Sequence, residues 1–157
     1  MDLNFLDWPT MLGNLARIGI AYALALPVAW NREREARGAG LRTFPLVAIA
    51  SCGYLLIAEK AFGSDVNAQA RILGGLITGI GFIGGGAILK LGNDVRGVAT
   101  ATSIWATGAI GGAAAFSRYE IAVVISIVTF LTLRFMSPIK EKLDHKEEKP
   151  TASSLED

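Results

Sequence analysis

Four stretches of this 157-residue chain approach the length of a bilayer's hydrocarbon core and carry almost no charge: Met11 to Trp30, Phe44 to Ala58, Ile72 to Leu89 and Tyr119 to Met136. A helical crossing takes roughly 20 mostly apolar residues. A fifth stretch is less obvious. Between Val98 and Phe116 the sequence VATATSIWATGAIGGAAAF has no charge, although its Ala, Gly and Thr content makes insertion into lipid marginal. With 52% hydrophobic residues, 18 glycines and a mean hydropathy of +0.43, the composition is that of a membrane protein.

Charge placement decides whether the fifth stretch crosses. The linker after the first stretch holds Arg32, Arg34, Arg37 and Arg42, while the first ten residues hold Asp2 and Asp7. Basic residues collect on the cytoplasmic side, so the N-terminus is expected outside. Five crossings bring Lys90, Arg96, Arg134 and the lysines after residue 139 to the side of those arginines; four would leave that lysine-rich tail outside. The expected architecture is an all-α, polytopic transmembrane bundle over residues 1–138, with five spans and a cytoplasmic C-terminus. A flexible charged tail, 139–157, follows a helix stop at Pro138. The acidic start argues against a cleaved signal peptide. Lysine and arginine total 15 against 14 acids, which gives no broad basic field for nucleic acid.

Residues 79–88, GIGFIGGGAI, contain the G-x-G-x-x-G spacing of a dinucleotide-binding turn. That motif needs a preceding strand and an acid about 20 residues on; here the run upstream is apolar and Ile104 occupies that place. Packing explains the glycines better. Seven fall between Gly74 and Gly86, and each disfavours a helix by about 1 kcal/mol relative to alanine. Lipid forbids an open loop, so another protein surface must press against the segment. Gly75 with Gly79, Gly81 with Gly85, and Gly108 with Gly112 form small-xxx-small pairs that allow close helix approach. On this reading the fifth helix, with Leu133, faces lipid, and Gly85→Leu should disrupt packing more than Leu133→Gly. The alternative is a helix broken at GFIGGG that turns its carbonyls toward an ion, as in transporters.

The apolar stretches hold no central carboxylate, which disfavours a conventional cation path or magnesium site. Arg17 is the one charge well inside a span; it can snorkel outward or pair with Glu59, Asp65 or Glu120. Thr78, Thr100, Thr102, Ser103 and Thr107 offer hydroxyls that cross-link helices or line a polar cavity. The turn composition of KLGNDVRG sets a tight connection between the third and fourth helices, and the arginines of NRERE offer contacts for anionic lipid or an acidic partner. Cys52 reads as a small packed hydrophobe, His145 as solvated, and no nucleophile, base and acid share a location. No enzyme, cofactor or metal site is expected.

The order of three motifs, REREARGAGLRTFPLV from Arg32, RILGGLITGIGFIGGGAIL from Arg71 and VRGVATATSIWATGAIG from Val95, resembles the MgtC/SapB family of bacterial inner-membrane proteins across most of residues 12–120. The resemblance implies a multi-pass protein of the cytoplasmic membrane, linked to growth in scarce magnesium and to survival inside host cells. It marks Arg32, Glu33, Gly40, Arg42, Thr43, Arg71, Gly79, Gly81, Phe82, Gly84, Arg96, Gly97, Thr100 and Trp105 as positions of interest. Asn31 stands where the family usually has an acid. The family's namesake is thought to act on the F-type ATP synthase and carries a folded cytoplasmic domain after its last helix; here a short tail follows, so that partnership is not expected to transfer. The reading is a regulatory or stress-adaptation membrane protein, homo-oligomeric through its glycine-lined helices and working by contact with a membrane partner. The rival is a channel or transporter for ions or small solutes, lined by the third and fourth helices.

Overall fold

Each of the five stretches is helical. The computed structural model describes residues 7–35, 39–92 and 94–147. Its elements are α1 (Trp8–Glu35), α2 (Thr43–Phe62), α3 (Val66–Gly86), β1 (Leu89–Leu91), β2 (Asp94–Arg96), α4 (Val98–Ala115) and α5 (Tyr119–Glu147). All the helices except α4 are long and apolar enough, by length and composition, to cross a membrane. Asp2, Arg37 and Lys149, which entered the charge argument, lie outside the described residues.

Short connections between packed neighbours make the helices alternate in direction. One end of the bundle, the hairpin end, gathers the close of α1, the start of α2 and the β1–β2 hairpin; the other gathers the α2–α3 and α4–α5 turns. Asp65 starts α3 by accepting from the Asn67 and Ala68 amides at 3.0 and 3.1 Å. The expected connection before α4 is an antiparallel hairpin pairing Leu89 with Arg96 and Leu91 with Asp94. Gly97 closes it with φ +85°, where a side chain would also collide with the Ala87 carbonyl. The helix expected to end at Pro138 continues to Glu147. Proline removes one backbone hydrogen bond and disfavours continuation, yet the flanking turns carry the helix through; α1 likewise runs through Pro27.

The marginally apolar α4 is the centre of the fold. It packs against α1, α2, α3 and α5, and Thr100, Ala101, Ser103, Ile104, Thr107, Gly108 and Ile110 to Gly112 are among its buried residues. Its small side chains follow from that position. A Cβ on Gly111 would strike the Ala48 carbonyl and lie 2.9 Å from the Ser51 Cβ; one on Gly108 would strike the Ile80 side chain; one on Gly112 would sit 3.3 Å from Leu55. The backbones of α2 and α4 therefore touch, as the small-residue argument requires for this helix.

For α3 that argument fails within one chain. A Cβ at Gly74, Gly75, Gly79, Gly81, Gly85 or Gly86 would meet nothing within 4 Å; only Gly84 is in contact, 3.1 Å from the Ala101 carbonyl. Ile80 and Gly84 are the buried residues named on α3. Both small-xxx-small pairs proposed for this helix point away from the bundle, because a helix on the edge of a bundle has one covered face. The helix is also continuous from Val66 to Gly86, so it contains neither a break nor the strand that a dinucleotide turn needs.

Leu133 corrects a further expectation. It is 8% exposed and packs with Val28, Ala29, Phe44, Ile80 and Ile104. The expected order of mutational damage therefore reverses. Leu133→Gly should cost about 3–6 kcal/mol through a cavity and helix propensity, and Gly111→Leu should prevent the α2–α4 contact. Gly85→Leu should leave the folded monomer intact. Thermal unfolding of the three variants in detergent checks this order.

Candidate functional site

The open face of α3 adjoins a groove between α2 and α3 of about 710 Å³. Thr43 and Ile83 lie toward its hairpin end and Tyr54 and Ile72 toward the other, with Ala50, Ser51, Gly75 and Gly79 between. The lining is apolar except at few points. Ser51 is one: it is 1% exposed, and its Oγ has no hydrogen-bond partner among the described residues. A buried hydroxyl left unpaired costs about 1–3 kcal/mol. A second groove of about 270 Å³ lies between α3 and α4, flanked by Ile77, Trp105 and Phe116.

At the hairpin end the chain buries polar groups. Asn31 and Arg32 are each 5% exposed; both face inward because they extend the α1 stripe of Ala21, Ala25 and Val28. Asn31 Nδ2 donates to one Glu35 carboxylate oxygen at 3.1 Å and Arg32 donates to the other. Asn31 Oδ1 and Arg32 Nε find no partner among the described residues. Glu33 does different work: it accepts from the Leu41 amide at 2.9 Å, and a Cβ on Gly40 would collide with its carboxylate. Glu33 thus ties the end of α1 to Gly40 and Leu41, just before α2. Nearby, the Arg34 guanidinium stacks 5.0 Å from the ring centroid of Trp30.

At the opposite end Arg17 Nη1 donates to Glu59 Oε2 at 2.8 Å and to the Ala115 carbonyl at 3.0 Å. Of the three acids considered for it, Glu59 is the partner. One guanidinium so joins α1 and α2 and caps the last turn of α4, where carbonyls lack intrahelical donors.

The marked residues do not converge. Arg32, Glu33, Arg42, Arg96 and Thr100 lie at the hairpin end; Arg17, Asp65 and Arg71 lie at the other. Gly79, Gly81 and Phe82 face outward on α3, with Phe82 85% exposed, whereas Gly84 faces α4. Trp105 is 55% exposed beside the smaller groove. Thr78, Thr102, Ser103 and Thr107 donate to carbonyls of their own helices rather than across helices. Among the described residues a helix-to-helix hydroxyl bond is made by Ser126, which donates to the Leu24 carbonyl at 2.7 Å. Ser126, Ser51 and the burial of Asn31 escaped sequence reasoning; a lone polar residue in an apolar run was the available signal.

Small residues fill the interior while Leu12, Leu15, Leu46, Ile57, Val124 and Val128 are each more than half exposed. Apolar surface on that scale, on helices of spanning length, defines a helical membrane protein. The model for the MgtC family matches residues 18–142, and the chain belongs to that family. SrpB of Synechococcus elongatus is 32% identical over 145 residues, covering 85% of this chain and 80% of that protein. MgtC of Brucella abortus is 31% identical over 137 residues, and YhiD of Escherichia coli K12 is 29% identical over 138. The chain spans 57% and 64% of the lengths of these two relatives. No solved structure matches it.

Because Arg17 serves two acceptors on two helices, Arg17→Met should destabilise the protein by about 1–3 kcal/mol. Glu59→Gln keeps a neutral acceptor on a half-exposed side chain and should cost less. Thermal unfolding in detergent compares the two.

Proposed function

We propose that the protein is a multi-pass component of the bacterial cytoplasmic membrane, with five spans, that serves adaptation to scarce magnesium by contacting another membrane component through α3. Support for five spans comes from α4: its 18 residues reach about 27 Å, and its marginal hydropathy carries little cost where protein rather than lipid surrounds it. The arginines of the α1–α2 connection favour a cytoplasmic hairpin end and an N-terminus outside. The magnesium link rests on the family; YhiD is named, provisionally, as a magnesium transporter.

The observation that carries the contact reading is the outward placement of six α3 glycines with nothing within 4 Å. Glycine weakens the helix and gains no packing against acyl chains. A protein surface against that face would offset the cost. A transport path between α3 and α4 has less support, because the two helices meet directly at Gly84–Ala101 and Gly108–Ile80.

Bacteria deleted for this gene and grown in limiting magnesium test the reading. Gly79→Leu, at a position where a Cβ would meet nothing within 4 Å in the chain, should fail to restore growth, while Val124→Leu on the exposed face of α5 should restore it. Magnesium or other ion flux through the purified protein in liposomes, lost in Thr100→Val or Arg71→Ala, would support the transporter instead.

A further inference from the structure

We propose that the α2–α3 groove holds an acyl chain of an anionic phospholipid from the leaflet at the hairpin end, with its headgroup at Arg42 and Lys90. The inference goes beyond the reading of α3 as a contact surface and does not depend on it.

Depth points to a lipid. On α2 the lining runs from Thr43 to Tyr54 and on α3 from Ile83 back to Ile72, eleven positions along each wall. At 1.5 Å per residue that is about 16 Å, close to the roughly 15 Å of hydrocarbon in one leaflet. The groove begins at the first residue of α2 and stops short of the opposite end, leaving 55–62 of α2 and 66–71 of α3 outside its lining. A partner helix crossing the bilayer would lie along the full length of both helices. An acyl chain ends where its leaflet ends.

The walls suit a hydrocarbon chain. Leu46, Val47, Ala50, Leu76 and Ile80 supply apolar surface, and Gly75 and Gly79 leave room, since a Cβ on either would meet nothing within 4 Å. Ser51 Oγ is buried within the wall and offers an occupant no polar contact. A groove of this size facing lipid does not stand empty, because its walls would forfeit their dispersion contacts. Gly74, Gly81 and Gly85 lie on a separate stripe of α3, outside the lining, and remain open to a partner.

Charge then selects the headgroup. Arg42 is exposed and directly precedes Thr43 at the mouth, and Lys90, also exposed, follows α3 into β1. Phe44 and Ala87 pack into the same cluster, which keeps the start of α2 beside the end of α3. Neither the Arg42 nor the Lys90 side chain forms an ion pair among the described residues. The half-buried Thr43 adds a hydroxyl donor. Two free cations and a hydroxyl at the interfacial end of an apolar slot match a phosphate that carries net negative charge. Each basic residue near the membrane surface favours anionic lipid by about fivefold.

Native mass spectrometry tests this on the full chain, stripped of lipid in detergent and titrated with phosphatidylglycerol or with phosphatidylcholine of the same acyl chains. One phosphatidylglycerol per chain should bind more tightly than phosphatidylcholine, and Arg42→Gln or Lys90→Gln should each weaken it by about fivefold. Ala50→Phe, which fills the groove from α2, should abolish binding of both lipids. If that variant does not fold, Gly75→Leu fills the groove from α3 and should do the same. Gly81→Leu, outside the lining, should leave binding unchanged. Equal affinity for the two lipids, binding unaltered in both groove variants, or equal loss in Gly81→Leu overturns the proposal. A lipid-free dimer that Ala50→Phe separates would place a second copy in the groove and also overturns it.

Discussion

The fold depends on the close approach of main chain to main chain around α4. Where Gly111 faces the Ala48 carbonyl there is no room for a single Cβ, and Gly108 and Gly112 leave space that Ile80 and Leu55 fill. Between helices in lipid, no expulsion of water rewards the meeting of large apolar side chains; dense packing and short polar contacts do that work. A helix too poor in bulk to favour lipid becomes the one that the others surround. The remaining contacts hold this arrangement at its ends. Arg17 draws Glu59 and the last turn of α4 together, and Ser126 fastens α5 to α1 through the Leu24 carbonyl.

The same composition has a different meaning one helix earlier. In α4 the glycines face protein within the chain, while in α3 all but Gly84 face away from it. The contrast separates two functions of small residues: one builds the bundle, and the other leaves a surface that a partner helix can approach. The groove beside that surface includes Ser51 in its wall, whose buried hydroxyl is unpaired among the described residues. The glycines of α4 thus serve the stability of the bundle, while those on the outer face of α3 make no contact within the chain that their replacement would break.

Much of the architecture was legible in the sequence. Uninterrupted apolar runs can only be helices if their peptide groups are to be satisfied in lipid, and the charge-free stretch from Val98 identified α4 despite its modest hydropathy. The connection was legible in the turn composition of KLGNDVRG, although strands of three residues are too short to carry a pattern. The rotation of each helix about its axis was not legible. The pairs Gly81–Gly85 and Gly108–Gly112 look alike as spacing, and only tertiary placement shows the first open and the second packed. Glu33 was marked by resemblance alone, and its bond to Leu41 exists because the connection folds back over Gly40. For Ser51 the only signal was a lone polar residue in an apolar run, a weak one because such a serine commonly bonds its own helix.

The central claim is that α4 touches α2 through backbone while the outer glycines of α3 touch nothing in their own chain. Solid-state NMR of the protein in lipid bilayers, with glycine Cα and alanine carbonyl carbons labelled, reads both halves of it. The account predicts a strong cross-peak between Gly111 Cα and the Ala48 carbonyl, and none linking Gly85 to another helix of the same molecule when labelled chains are diluted in unlabelled ones. A missing Gly111–Ala48 peak, or an intramolecular contact from Gly85, would contradict it.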